Sequence, residues 1–281
     1  MSPVTITKTP LFVIFGLALI LVSCETMPPE MAAKCSKPDN INIVKGGTIC
    51  FGIRTYLSNE RNETKATNPA LLVFLHGDGS RGGPVDYMLS FAAMPPKGTV
   101  SVAMMRPGYY SSDGTRSSGY DNRRRDHYTA RNVDSIAEAI NVLRRKHTAR
   151  KVVIVGHSGG AAIAGAIVGR HPTVAEAALL VSCPCDVDAW RNTRSGPWPN
   201  SLSPSSYVGG VAKTTAIIAI TGENDSNTLP RFAVNYIGNL KSSGIKADFI
   251  LIPGAGHGLY SLTDNNHYGE AIRKLISSGG K

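Results

Sequence analysis

Short hydrophobic runs alternate along the chain with segments in which apolar residues recur at helical spacing. The runs are rich in β-branched and aliphatic residues, as is typical of strands buried on both faces, and cover 71–75, 100–104, 151–155, 177–182, 215–220 and 248–252. Between two of them, residues 129–146 keep one apolar helical face and end in basic residues that suit the negative end of a helix dipole. This alternation predicts an α/β fold in which a mostly parallel central β-sheet carries helices on both faces, with first antiparallel strands from residues 41–58.

A five-residue turn joins the strand predicted at 151–155 to a small-residue helix predicted at 161–170, and its sequence is Gly-His-Ser-Gly-Gly. Serine at the centre of so tight a turn takes strained backbone angles, and a Cβ on the flanking glycines would collide with the strand or the helix. The N–H groups at the start of the helix have no intrahelical acceptor and favour negative charge beside the serine. Ser158 is therefore a candidate nucleophile, and an ordinary turn serine is the alternative.

Two later strands end in loops that hold a carboxylate and a histidine. The strand predicted at 215–220 runs into Thr-Gly-Glu-Asn-Asp, which ends at Asp225, and the strand at 248–252 runs into Pro-Gly-Ala-Gly-His, which ends at His257. A serine hydroxyl becomes a useful nucleophile when a histidine takes its proton, and a carboxylate fixes the tautomer of that histidine. Six other histidines compete with His257, and the acids that compete with Asp225 are Glu223, Asp186 and Asp188.

With these loops in the order serine, acid, histidine, the chain resembles the α/β-hydrolase family of serine hydrolases over about residues 41–278. The resemblance implies that Ser158, Asp225 and His257 form a catalytic triad. Among the competing acids, Asp225 best fits the Gly-x-x-Asp spacing of the family. Ligands in this fold gather at the carboxyl ends of the parallel strands, which is where all three residues are predicted to lie.

The resemblance also implies an oxyanion hole made by the backbone N–H groups of Gly159 and Asp78, where Asp78 follows a His-Gly pair after the strand predicted at 71–75. Losing one such donor typically costs about a hundredfold in rate. His76 in this loop and His157 on the serine turn are expected to shape the turns rather than to transfer protons. The histidines expected to be solvated or to cap helices are His127, His147, His171 and His267.

The segment 185–210 occupies the place where this family inserts its lid, and because it is short and rich in Ser, Pro and Gly, we expect no large lid. Three aromatic residues are candidate substrate-binding residues, since their rings suit an acyl or alcohol pocket: Tyr109, Trp190 and Trp198. The alternative is that these rings pin exposed loops to the core. A site without a lid favours small-molecule or polymer-borne esters over long lipids.

These observations leave three interpretations of function. The first is a carboxylic ester hydrolase that forms an acyl-enzyme on Ser158. The second is a peptidase or amidase resembling the catalytic domain of the prolyl oligopeptidase group, which usually carries a large propeller for which these 281 residues leave no room. The third is a non-catalytic envelope binding protein on a hydrolase scaffold. No cofactor, metal or nucleic-acid partner is expected, because the sequence has no phosphate-binding glycine loop, no zinc-spaced cysteines and no nucleic-acid module.

The first residues predict export and attachment to a membrane. Lys8 precedes twelve uncharged residues, 11–22, which are too few to span a bilayer comfortably but suit a signal-peptide core. The sequence Leu-Val-Ser-Cys that ends at Cys24 resembles a bacterial lipobox, which implies lipid modification of this cysteine. A plain secretory signal or an uncleaved anchor is the alternative. The predicted parts are a lipoprotein signal peptide at 1–23, a tether at 24–40 and a catalytic domain at 41–281, held by lipid at a membrane of the bacterial cell envelope and facing outside the cytoplasm.

The other cysteines and the charge fit an exported protein. With Cys24 assigned to lipid, the remaining four can pair in three ways in an oxidising compartment: Cys35, Cys50, Cys183 and Cys185. A bond between the last two would close a very small ring, so strain makes this pairing doubtful. The formal charge of +10 favours anionic surroundings. Within it, arginines 123–125 are interpreted as a solvated face rather than a docking site.

Overall fold

An eight-stranded sheet forms the centre of the computed structural model, which describes residues 35–58, 68–79, 82–194, 196–263 and 266–278. The strands run in the order β1-β2-β4-β3-β5-β6-β7-β8, where β2 is antiparallel to β1 and β4 and all other neighbours are parallel. Their bounds are β1 Ile43–Gly46, β2 Ile49–Leu57, β3 Ala70–Leu75, β4 Thr99–Met104, β5 Lys151–His157, β6 Ala177–Val181, β7 Ala216–Gly222 and β8 Lys246–Ile252. The predicted α/β fold with a mostly parallel sheet is confirmed.

Helices cover both faces of this sheet. In the described part of the chain they are α1 Tyr87–Ala92, α2 Ala130–Lys146, α3 Gly159–Arg170, α4 Val187–Asn192, α5 Pro230–Ser242, α6 Leu259–Thr263 and α7 His267–Ser277, with two 3-10 segments at Asn122–Arg124 and Pro204–Gly210. Helix α2 begins where predicted, since the Thr129 side chain accepts a hydrogen bond from the Asn132 N–H, and three basic residues occupy its last turn.

The core lies in two layers, one on each face of the sheet. Side chains of β3 alternate between them: Leu71, Val73 and Leu75 pack in the layer of α2, α3 and α5, whereas Leu72 and Phe74 pack in the layer of α1, α6 and α7. Every residue of β3 to β7 is buried, which explains why these strands read as continuous apolar runs rather than as alternating patterns.

The topology brings four loops to one edge of the sheet. Strands β3, β5, β7 and β8 are parallel, and each candidate catalytic or oxyanion residue follows the carboxyl end of one of them. Because parallel strands end at the same edge, loops that are far apart in sequence meet there.

Two disulfides link the described cysteines. Cys35 bonds to Cys50 at the start of β2, and Cys183 bonds to Cys185, with a Cα–Cα distance of 5.0 Å, in the loop after β6. The expectation that strain would disfavour the small ring was wrong, and Ser182 just before the ring takes a positive φ of 49°.

The segment expected to be short and without a large lid contains only α4 and one 3-10 segment among its described residues. The predicted signal peptide, Cys24 and most of the predicted tether lie outside the described residues. Within the residues described, we find no helix with the length and hydrophobicity needed to cross a bilayer.

Candidate active site

Ser158 sits on the turn between β5 and α3 with backbone angles of φ 53° and ψ −120°. A Cβ on Gly156 would stand 2.4 Å from the carbonyl oxygen of Gly160, and a Cβ on Gly160 would stand 2.1 Å from the carbonyl oxygen of Leu75. Both distances are far inside van der Waals contact, so the glycines predicted to be required by the turn are confirmed. The strained serine conformation is held by the strand on one side and the helix on the other.

The structure brings Ser158, His257 and Asp225 into one hydrogen-bonded chain. The Ser158 Oγ lies 3.0 Å from His257 Nε2, and His257 Nδ1 lies 2.9 Å and 3.1 Å from the two Asp225 carboxylate oxygens. A carboxylate only accepts, so Nδ1 carries a proton, and in the neutral ring Nε2 is then the nitrogen that can accept the serine proton. This is the arrangement that general-base activation of a serine requires.

Asp225 is held as a carboxylate by its loop. Its side chain is 1% exposed, and this burial opposes ionisation, but hydrogen bonds and charge from His257 together with bonds from Thr228 outweigh it and lower the pKa of Asp225. The backbone N–H and the hydroxyl of Thr228 both lie 2.8 Å from the carboxylate, and the Asn227 N–H lies 2.9 Å away. The sequence reasoning missed Thr228, although Asp-x-x-Thr is a recognisable local turn pattern.

Of the two backbone N–H groups predicted to bind an oxyanion, that of Gly159 directly follows Ser158, and that of Asp78 follows Gly77, where a Cβ would stand 3.0 Å from the Ser158 Cβ. Among the described residues, neither the Asp78 N–H nor the Gly159 N–H donates to a protein acceptor. The carboxylate of Asp78 also lies against Gly159, since a Cβ there would stand 2.3 Å from its Oδ1. A negative charge beside an oxyanion site is unfavourable unless it is compensated.

Arg106 provides that compensation from inside the protein. Its fully buried guanidinium donates from one nitrogen to Asp78 Oδ1 at 2.9 Å and to the His76 carbonyl at 3.1 Å, and the Tyr128 hydroxyl donates to Asp78 Oδ2 at 2.6 Å. No sequence signal predicted this role of Arg106, because a lone arginine after a strand does not reveal a partner 28 residues earlier.

Tyr109 does not line an open pocket, which corrects its prediction as a substrate-binding residue. Its side chain has no exposed surface, and the guanidinium carbons of Arg106 and Arg124 each lie 5.0 Å from its ring centre. Arg124 is itself 8% exposed and donates to the carbonyl oxygens of Gly79 and Gly83. The interpretation of arginines 123–125 as solvated is therefore wrong for Arg124, whose charge is directed to the loop after β3.

Trp190 and Trp198 pack against each other between the acid loop and Tyr128. Their ring centres are 5.0 Å apart, Trp190 Nε1 donates to the Asn227 carbonyl at 3.0 Å, and the Trp198 ring lies 5.4 Å from that of Tyr128. Both rings are mostly buried. This position fits loop pinning, and a contact with substrate stays a prediction.

Three buried histidines surround the site: His76, His127 and His157. His76 Nε2 accepts from the Arg106 N–H and Nδ1 donates to the Gly77 carbonyl, while burial and the charge of Arg106 hold its pKa well below the usual value. His127 was expected to be solvated or to cap a helix, but it is 2% exposed, and burial and Arg106 lower its pKa to about 4. The prediction for His127 was wrong because its partners, Arg106 and the Tyr120 carbonyl, come from another segment.

The sequence profile of the prolyl oligopeptidase family matches residues 109–276, which include the serine turn, the acid loop and the histidine loop. The chain belongs to the prolyl oligopeptidase family. A search of curated protein sequences finds no match. Together, the family and the fold make this chain a serine hydrolase with an α/β-hydrolase fold.

Solved structures of both peptidases and esterases share this fold. Pyrococcus horikoshii acylaminoacyl peptidase superposes with a TM-score of 0.63 at 14% identity over 85% of this chain and 42% of the peptidase. Est1E from Butyrivibrio proteoclasticus, solved with ferulic acid, superposes with a TM-score of 0.62 at 12% identity over 83% of this chain and 95% of Est1E. The Pyrococcus furiosus esterase Pf2001 superposes with a TM-score of 0.62 at 10% identity over 83% of this chain and 90% of the esterase. The chain spans about two fifths of the length of the first peptidases it matches.

Proposed function

We propose that this family member hydrolyses carboxylic esters through an acyl-enzyme formed on Ser158. The observation that carries the proposal is the unbroken chain of hydrogen bonds from Ser158 through His257 to Asp225. In this mechanism His257 takes the serine proton as Ser158 attacks the ester carbonyl, and then gives it to the departing alkoxide. Water activated by the same histidine releases the acid. The backbone N–H groups of Asp78 and Gly159 hold the oxyanion in both halves of the reaction.

The fold that this chain shares with Est1E and the Pyrococcus furiosus esterase supports an ester substrate. The short segment at the lid position, with α4 and one 3-10 segment, supports access by small-molecule or polymer-borne esters. We propose that Trp190 and Trp198, which lie between the acid loop and Tyr128, form one side of the substrate-binding pocket.

Peptide or amide hydrolysis is the second candidate, and the family match favours it. The two are separated by comparing turnover of p-nitrophenyl acyl esters with turnover of aminoacyl p-nitroanilides by the same preparation. We expect kcat/KM to be higher for the esters than for the anilides. This ratio should exceed the ratio of the rates at which imidazole, as a reference catalyst, cleaves the same two substrates. Preferential anilide cleavage would overturn the ester proposal and support the peptidase.

Covalent labelling tests the nucleophile directly. A fluorophosphonate probe is expected to label the wild type, to label His257→Ala far more slowly, and not to label Ser158→Ala. Circular dichroism confirms that each variant is folded. A folded wild type that takes no label would support a non-catalytic binding protein instead.

We also propose that the enzyme works outside the cytoplasm, anchored to a bacterial envelope membrane through lipid on Cys24. The support is the sequence at 11–24 and the two disulfides, which are expected of an oxidising compartment. Fractionation of cells expressing Cys24→Ala is expected to move the protein from membrane to soluble fractions. Equal membrane association of variant and parent would count against the lipid anchor.

A further inference from the structure

His157, the residue before the candidate nucleophile, uses both of its ring nitrogens inside the protein. Its Nε2 lies 3.0 Å from the carbonyl oxygen of His257, and its Nδ1 lies 2.9 Å from the hydroxyl oxygen of Tyr87. A carbonyl oxygen only accepts hydrogen bonds, so Nε2 carries the proton. In a neutral ring Nδ1 then has to accept, and the Tyr87 hydroxyl has to donate to it.

The Tyr87 hydroxyl completes a connection to the loop after β3. Its oxygen accepts a hydrogen bond from the Gly77 N–H while its proton goes to His157. Gly77 directly precedes Asp78, whose N–H is a proposed oxyanion donor, and a Cβ on Gly77 would stand 3.0 Å from the Ser158 Cβ. The direction of every bond in this chain is thus fixed from Gly77 to the His257 carbonyl.

We propose that His157 and Tyr87 are positioning residues that lock the oxyanion loop and the His257 loop in register with each other across the serine turn. This inference rests on the proposed function, because it concerns the same site. Their hydrogen bonds go to each other and to backbone groups rather than to the reacting atoms. They act through the backbone of Gly77 at one end and through the backbone of His257 at the other.

The surroundings of His157 favour the neutral ring that this role needs. The side chain is buried, and burial together with the neighbouring His257 lowers the pKa of His157 to about 4. The Ser182 hydroxyl reaches the same His257 carbonyl at 3.3 Å, so two donors hold the histidine loop. The Gly-x-Ser-x-Gly pattern accepts other residues at position x, so the turn itself does not require a histidine.

Tyr87→Phe tests the connection with a matched control. The change removes one hydroxyl and leaves the Gly77 N–H and His157 Nδ1 without their partner. Loss of a bond between buried groups should lower kcat for a p-nitrophenyl ester about tenfold or more, with KM within about twofold, because the loops act on the transition state. The control is Tyr236→Phe, since the buried Tyr236 hydroxyl is among those in the described residues with no partner. Its kcat is expected to stay within about twofold of wild type.

Two substitutions of His157 separate positioning from packing. Gln carries one acceptor and one donor and can serve both partners, whereas Leu serves neither. We expect His157→Gln to keep kcat within about tenfold of wild type and His157→Leu to lose a further tenfold or more, at similar KM. Equal losses in the two variants, or a Tyr87→Phe enzyme as active as the Tyr236→Phe control, would overturn the proposal.

A measurement without turnover distinguishes failure of this inference from failure of the proposed function. In 15N NMR spectra at neutral pH, His157 is expected to be neutral and protonated at Nε2, and exchange of the Gly77 amide proton should become faster in Tyr87→Phe. If these signals appear while no ester is hydrolysed, the proposed function fails and the connection stands. A His157 protonated at Nδ1 would contradict the connection whatever the activity.

Discussion

Replacing Arg106 by methionine should damage stability and catalysis together. The guanidinium is fully buried, donates to the Asp78 carboxylate at 2.9 Å and to the His76 carbonyl at 3.1 Å, and lies 5.0 Å and 5.5 Å from the ring centres of Tyr109 and Tyr128. Methionine keeps the length and apolar stem of the side chain but removes the charge and every donor. The Asp78 carboxylate then keeps only the Tyr128 hydroxyl among these partners.

The size of the loss follows from burial. Removing one partner of a buried ion pair costs about 3 to 5 kcal/mol, and because the Asp78 side chain is 15% exposed, water relieves part of the unpaired charge. We expect the free energy of unfolding to fall by about 3 kcal/mol. The uncompensated carboxylate also lies against Gly159, where a like charge within a few ångströms opposes the oxyanion by roughly 2 to 4 kcal/mol before solvent screening. A fall in kcat of about tenfold or more is expected.

A second substitution, at Asp78, tests whether Arg106 acts by compensating the Asp78 charge. Asp78→Asn keeps the backbone N–H proposed for the oxyanion but removes the negative charge, so the double variant Arg106→Met/Asp78→Asn should regain part of both losses. Urea unfolding measures stability, and p-nitrophenyl ester turnover measures kcat. We expect a coupling energy of about 1 to 3 kcal/mol between the two sites. Additive effects, or an Arg106→Met protein within 1 kcal/mol of wild type, would refute the argument.

Three further outcomes are expected. Thr228→Val removes the hydroxyl that lies 2.8 Å from Asp225 Oδ2, so kcat should fall about tenfold while fluorophosphonate labelling at Ser158 persists at a lower rate; unchanged kcat would contradict this role. Gly160→Ala places a Cβ 2.1 Å from a backbone oxygen, so little soluble protein is expected on expression, and a stable, active variant would show that the turn can shift. His157 has a folded-state pKa of about 4, against 6.5 for a free histidine, so the unfolded chain binds more protons between these values. Stability should therefore fall as pH drops from about 6.5 to about 4, and flat urea midpoints over this range would contradict the shift.

The fold could be predicted from the sequence because its signals are local. Strands buried on both faces leave uninterrupted aliphatic runs, and the run predicted at 151–155 lies within β5, Lys151–His157. The need for glycine at 156 is also local, since a Cβ there would meet the Gly160 carbonyl four residues later, whereas a Cβ on Gly160 would meet Leu75, which is distant in sequence. The predicted and observed ends of a strand differ by one or two residues where the strand continues into the functional loop, as at His157.

The support of the site could not be predicted, because it depends on buried polar residues whose partners are distant. Arg106 pairs with Asp78, and Arg124 donates to carbonyl oxygens of the loop that follows β3. From sequence alone, isolated arginines and histidines are predicted to be solvated, since only the folded chain supplies the hydrogen-bond acceptors that make their burial favourable. His127 shows the same effect, with a carbonyl acceptor seven residues away and a buried guanidinium beside it.

Cys183 and Cys185 are 1% and 0% exposed, so an oxidant in solution has little access to their sulfur atoms once the loop after β6 has packed. We therefore expect protein folded in a reducing cytosol to oxidise slowly at this pair in air, and secreted protein to carry the bond. The two preparations are then expected to differ in free-thiol content, so rates measured on one need not hold for the other.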